Sequence, residues 1–134
     1  MGITIKSEYA FKILLQIANC QANEPVSLSL ILTDVNVPKE FAEKIMVSLK
    51  EAGIIESTRG RKGGYRLTKS ADQITALEIV RAVDDPDKLI KCTMDENCCS
   101  DPTSCTIRLK IWDNLKKSVE DTLSSIKLSD LFEA

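Results

Sequence analysis

One glycine-punctuated basic stretch, Arg59-Gly60-Arg61-Lys62-Gly63-Gly64-Tyr65-Arg66, does most to narrow what this chain can fold into. It lies where two short β-prone runs meet, Ile54-Ile55-Glu56-Ser57-Thr58 and Tyr65-Arg66-Leu67-Thr68, so the segment reads as a small hairpin. Gly60, Gly63 and Gly64 allow positive φ and a close approach of backbone to phosphate, and arginine can enter a minor groove. Between Ser57 and Ala71 the ionisable residues are Arg59, Arg61, Lys62, Arg66 and Lys69, with no Asp or Glu. A solvated hairpin is the plain alternative. A run of cations without one acid favours an anionic partner instead.

What precedes the hairpin agrees with this. Ser7 is a candidate cap for a helix from about Glu8 to Cys20, with Phe11, Leu14, Leu15 and Ala18 on its buried face and Cys20 in the core. Ser27 is placed to cap a short second helix to about Thr33, a turn follows, and Pro38 opens a third helix running to Ala52. There Phe41, Ala42, Ile45, Met46 and Leu49 make an apolar stripe, leaving Lys39, Glu40, Glu43, Lys44 and Val47 on the far side, and Gly53 ends the helix. Two helices across a tight turn, followed by a hairpin, predict a winged helix-turn-helix with 38–52 as recognition helix. The fold class is therefore mainly α with a small β wing.

Beyond the wing, Thr75 caps a fourth helix from about Ala76, which Asp84-Asp85-Pro86 breaks. Asp101-Pro102 then opens a long C-terminal helix. In it Cys105, Leu109, Trp112, Val119, Leu123 and Ile126 form one seam, widened by Ile107, Ile111 and Leu115, and 129–134 forms a short final turn. So broad an apolar face is expected to serve both its own domain and a second subunit. The organisation expected is a winged helix-turn-helix region over 1–83, a cysteine-bearing loop over 84–105 and a dimerisation helix with its tail over 106–134, in one compact domain.

That loop carries Cys92, Cys98, Cys99 and Cys105, four of the chain's five cysteines, in an acidic setting. No run approaches the roughly 20 apolar residues of a membrane span and no leader is evident, so a cytoplasmic protein is expected. In that compartment clustered cysteines point to metal ligands or redox sensors rather than disulfides. An iron–sulfur cluster, a structural zinc ion bound by all four, and a thiol switch at Cys98 and Cys99 all remain open on spacing alone. The chain has no histidine, no phosphate-binding glycine motif after a strand and no paired carboxylates in an apolar setting, so it is not expected to be an enzyme. With a net charge of −2, contact with DNA must come from the local basic segment. The rival class is a metal-stabilised interaction module or electron carrier that never meets DNA.

Over nearly its whole length the chain resembles the small bacterial winged-helix regulators that include IscR, NsrR, RirA and CymR. The residues carrying the resemblance are Ser7-Glu8-Tyr9-Ala10, Leu49-Lys50-Glu51-Ala52-Gly53-Ile54-Ile55, Arg59 to Tyr65, Ala82-Val83-Asp84 and the spaced cysteines. The resemblance implies a homodimer on a two-fold symmetric double-stranded DNA operator, with no membrane partner and no small-molecule substrate. The DNA contacts expected from the residues themselves are Lys39, Glu40, Glu43 and Lys44 on the third helix and Arg59, Arg61, Lys62 and Arg66 on the wing, and the resemblance adds that Glu43 influences operator choice. For the cysteine loop it implies an iron–sulfur cluster, two-iron two-sulfur in the first place and four-iron four-sulfur as the variant. Its cofactor-binding and metal ligands would be Cys92, Cys105 and either Cys98 or Cys99, with the fourth place taken in the first instance by Glu8 from the partner subunit, or else by the spare member of Cys98 and Cys99 or an exogenous group. Arg108 stands where IscR-like members place a histidine, so histidine ligation is excluded. The expected role is control of cluster-assembly or iron and nitrosative-stress genes through cluster-dependent operator affinity.

Overall fold

The computed structural model describes residues 2–19, 24–61, 63–86 and 106–132 of the 134. The elements are α1 (Ile5–Asn19), α2 (Leu28–Asp34), α3 (Lys39–Glu51), β1 (Ile55–Thr58), β2 (Gly64–Leu67), a 3-10 turn (Ala71–Gln73) and α4 (Ala76–Val83). A π-helical turn (Arg108–Trp112) then leads into α5 (Asp113–Ser125), and a 3-10 turn (Leu128–Phe132) follows.

Each boundary has a local cause. Thr4, not Ser7, stands before α1, its Oγ1 accepting from the Lys6 amide at 3.2 Å. The helix therefore begins a turn earlier than expected, and Ser7 lies inside it, buried at 2% exposure. Ser27 caps α2 by accepting from the Leu30 amide, as its position predicts. Pro38 is the N-cap of α3, and Gly53, at φ 77°, reverses the chain after it, a conformation strained for any side chain. Thr75 and Glu78 form a reciprocal capping box on α4.

Ile13, Leu14 and Ile17 of α1, Ile31 of α2, and Ala42, Ile45, Met46 and Leu49 of α3 converge in one core with Ile54, Ile55, Ile74, Ile79 and Leu128. Helix α1 packs against α2, α3 and α4, and so sets the angle between the two helices of the motif. Phe41, expected in the buried stripe, is exposed and instead meets the Tyr9 ring edge-on, with centroids 5.9 Å apart.

The C-terminal segment is held to this core at two places. Around Thr75 and Lys127 the backbones pair, Ala76 donating to the Ile126 carbonyl and Leu128 to that of Ile74, both at 2.8 Å. Arg81 on α4 donates to Glu120 on α5 at 2.9 Å. The expected seam divides: Trp112, Val119, Leu123 and Ile126 are half-buried, whereas Leu109 joins Ile107, Ile111 and Leu115 in the exposed set. The π turn explains the division, because its longer repeat breaks the 3.6-residue phase between Leu109 and the residues after Trp112.

Candidate nucleic-acid interface

The wing is a two-stranded antiparallel hairpin in which Ile55 faces Leu67, Glu56 faces Arg66, Ser57 faces Tyr65 and Thr58 faces Gly64. It carries a third, single-residue rung. Val26, just before α2, donates to the Tyr65 carbonyl and accepts from the Tyr65 amide, each at 2.8 Å. The hairpin is thereby bonded to the entrance of the helix-turn-helix. A Cβ at Gly64 would stand 2.5 Å from the Val26 carbonyl carbon and oxygen, a contact no side chain makes without moving backbone. Gly63 is equally crowded, a Cβ there lying 2.6 Å from the Thr58 carbonyl oxygen, so both glycines are required by contacts within the protein, distinct from the approach to phosphate expected of them. Of the three wing glycines, Gly60 and Gly64 take positive φ, at 113° and 157°, and Gly63 does not.

The five cations of the wing region are not equivalent. Arg66 donates its Nε–H to Glu56 across the two strands, and Lys69 reaches Glu78 of α4 at 3.1 Å. Arg59 and Arg61 are exposed at the hairpin tip, and Lys62 lies outside the described residues. The charge offered outward is therefore concentrated at the tip, and the run of five repelling cations expected from the sequence is partly neutralised by acids from β1 and α4. On α3, Lys39, Glu40, Glu43 and Lys44 are all exposed on the side away from the core. A helix with this exposed polar face, packed against β1 of a wing whose tip bears Arg59 and Arg61, can place side chains in a groove while the arginines meet the flanking backbone.

Cys20, Cys92, Cys98, Cys99 and Cys105 all lie outside the described residues. The remaining candidate ligand, Glu8, is exposed on the first turn of α1, and its carboxylate pairs with Lys12 at 3.2 Å. Among the described residues no three His, Cys, Asp or Glu side chains gather in a way that could hold a metal ion.

Close to Glu8 the fold makes a junction that sequence reasoning missed. Asp84, at the C-terminal cap of α4 where the cysteine loop begins, accepts from the Thr4 amide at 2.8 Å, Thr4 Oγ1 at 2.7 Å and Ser7 Oγ at 2.6 Å. The Asp85 amide donates to the Gly2 carbonyl at 3.3 Å. Burial works to raise the Asp84 carboxyl pKa, but the bonds from Ser7 and Thr4 outweigh it and hold the group below its ordinary value. In the sequence Asp84 reads as a helix breaker; only the burial of a serine within an apolar helix face could have hinted at its partner.

Comparison with known proteins agrees with this architecture. Residues 3–134 match the family model described as "Rrf2: Iron-dependent Transcriptional regulator". The chain is 31% identical over 131 residues to the protein rrf2 of Nitratidesulfovibrio vulgaris, covering 98% of this chain and 87% of that one. Among solved structures it is similar to T. potens IscR, with a TM-score of 0.76 and 25% identity over 99% of this chain and 87% of the other. It is also similar to CymR of B. subtilis, described as the global cysteine regulator of that organism, with a TM-score of 0.79 and 27% identity over 98% and 95%. No described helix is long and apolar enough to cross a membrane. With the helix-turn-helix, the bonded wing and a family match over nearly every residue, the chain belongs to the Rrf2 family of winged-helix, DNA-binding transcriptional regulators, which are not enzymes.

Proposed function

We propose that this regulator acts in the cytoplasm as a homodimer whose operator affinity is set by an iron–sulfur cluster on the cysteine loop. The observation that carries the reading is the donor set itself. Cys92, Cys98, Cys99 and Cys105 supply thiolates, the preferred ligands of iron–sulfur clusters, in a chain without histidine whose family model is described as iron-dependent. Adjacent Cys98 and Cys99, without a two-residue ligand spacing, suit a single tetrahedral zinc ion poorly. By this chemistry the donors fit a cluster held by Cys92, Cys105 and one of Cys98 and Cys99, with Glu8 of the partner subunit as the exchangeable fourth ligand. When bound, such a group supplies iron that responds to oxidants and to iron supply.

The chain's own residues supply the coupling. Asp84 ties the start of the loop to Thr4 and to Ser7, the residue next to Glu8. Helix α1 in turn packs on α3, with Tyr9 against Phe41. A change in the loop therefore has a short route to the recognition helix, and differential affinity between two loop states follows if the two states hold α3 at different spacings. Dimerisation is supported by Ile107, Leu109, Ile111 and Leu115, all exposed at 44% or more on the C-terminal helix. Lys12 is placed to hold the Glu8 carboxylate when it is not a ligand.

Anaerobic purification followed by absorption spectroscopy and iron, sulfide and zinc analysis tests the reading. It predicts iron and acid-labile sulfide in equal amounts and a visible charge-transfer band, abolished in Cys92→Ala and Cys105→Ala and altered in Glu8→Ala. Zinc without sulfide, or a metal-free protein whose Cys98 and Cys99 oxidise reversibly, would replace it with the structural-zinc or thiol-switch reading.

A further inference from the structure

Side chains on α3 advance by about 100° per residue, and buried Ala42, Ile45, Met46 and Leu49 fix the inward direction. Opposite them runs an exposed stripe of Glu40, Lys44, Val47 and Glu51. At that advance Val47 falls within about 30° of the centre of the stripe. It is 56% exposed, the most exposed large apolar residue of the helix. Phe41, the other exposed apolar residue of α3, is accounted for by its contact with Tyr9.

Valine is a weaker helix former than the lysines and glutamates around it, and here it lies outside the hydrophobic core. The face is also not cationic, Lys44 standing in the stripe with Glu40 and Glu51, and Lys39 and Glu43 flanking it. A surface meant only to grip phosphates would be cationic. This one combines carboxylates, which accept from the amino group of cytosine, with one branched apolar side chain, which suits the C5-methyl group of thymine. Arg59 and Arg61 at the wing tip are then left to supply backbone attraction.

We infer that Val47 is a base-reading residue that packs on the C5-methyl of a thymine in the major groove, so that each operator half-site carries a methyl-dependent thymine. The inference rests on the DNA-binding role of α3 and adds a specificity determinant to it.

The test uses double-stranded oligonucleotides selected by the protein from a randomised library. In the recovered sequence each thymine is replaced singly by deoxyuridine, which removes only the methyl group, and affinities are measured for wild type, Val47→Ser and Val47→Thr. In wild type, one position per half-site should lose about fourfold in affinity, the value of burying one methyl group. Val47→Ser should be indifferent to the methyl at that position alone, and Val47→Thr, which keeps a γ-methyl, should retain part of the discrimination. Sensitivity in Val47→Ser equal to wild type at every thymine, or no methyl-sensitive thymine in wild type, would overturn the inference. If no sequence were enriched at all, sequence-specific recognition itself would fail, and the inference with it.

Discussion

Asp84 takes three hydrogen bonds at 2.6 to 2.8 Å, two from Thr4 just before α1 and one from Ser7 in its first turn, and two of them come from side-chain hydroxyls. Because those donors favour the ionised carboxyl, its folded pKa lies below the unfolded one, so its contribution is full at neutral pH and is lost as pH falls through about 4 and below. Asp84→Asn keeps the shape but turns an amide N–H₂ toward groups that are themselves donors, and it should lower stability at pH 7 by about 1–3 kcal/mol. In urea titrations the gap between the two proteins should narrow progressively as pH falls below about 4; a gap that does not change with pH would show that the charge is not what matters. Gly64→Ala acts by contact instead, since the added carbon meets backbone on Val26 and no side chain can swing aside. We expect a loss of about 1–3 kcal/mol, as for overpacked sites, with faster exchange of the Val26 and Tyr65 amides. Unchanged protection at those two amides would show that the rung does not tie the wing down.

Among the elements, the wing and the C-terminal helix make opposite demands on the sequence. Glycine spacing and charge made the wing legible in advance, because only a hairpin satisfies strand-prone runs around glycines. The pairing of Arg66 with Glu56 and of Lys69 with Glu78 was not, since it depends on cross-strand register and on where α4 packs. Replacing both Arg59 and Arg61 by Ala should weaken binding to all duplexes and reduce the salt slope by roughly one unit for each phosphate that the tip no longer neutralises. Weakening confined to particular operators, with the slope unchanged, would mean that the tip reads bases. For the C-terminal helix the apolar periodicity was visible, but the π turn that moves Leu109 into the exposed set was not. Capping and period set no signal for a single inserted residue in a helix. Leu115→Asp should shift the protein toward monomer and weaken operator binding with it, whereas light scattering that still reported a dimer would remove this face from the interface.

At the scale of the whole molecule, three features join what were separate readings of the sequence: α1 packed on both α3 and α4, Val26 bonded to the wing, and Asp84 holding the start of the cysteine loop to α1. The helix-turn-helix and wing were legible because each rests on local rules of capping, periodicity and turn chemistry. The Asp84 junction was not, because its partners are about eighty residues apart in the chain. Glu8, its neighbour Lys12 and the recognition helix therefore share one frame with Asp84 and Asp85, the residues from which the chain sets out toward the cysteines. The central claim is that the occupant of that loop sets DNA affinity. It is tested most directly by an anaerobic fluorescence-anisotropy titration of one selected duplex with the same protein preparation before and after removal of its iron. The dissociation constants should differ by about 5- to 150-fold, the usual span of coupling between two sites, and Asp84→Asn should shrink the difference. Equal affinities for the iron-loaded and iron-free protein, with iron and sulfide verified in the first, would contradict the claim.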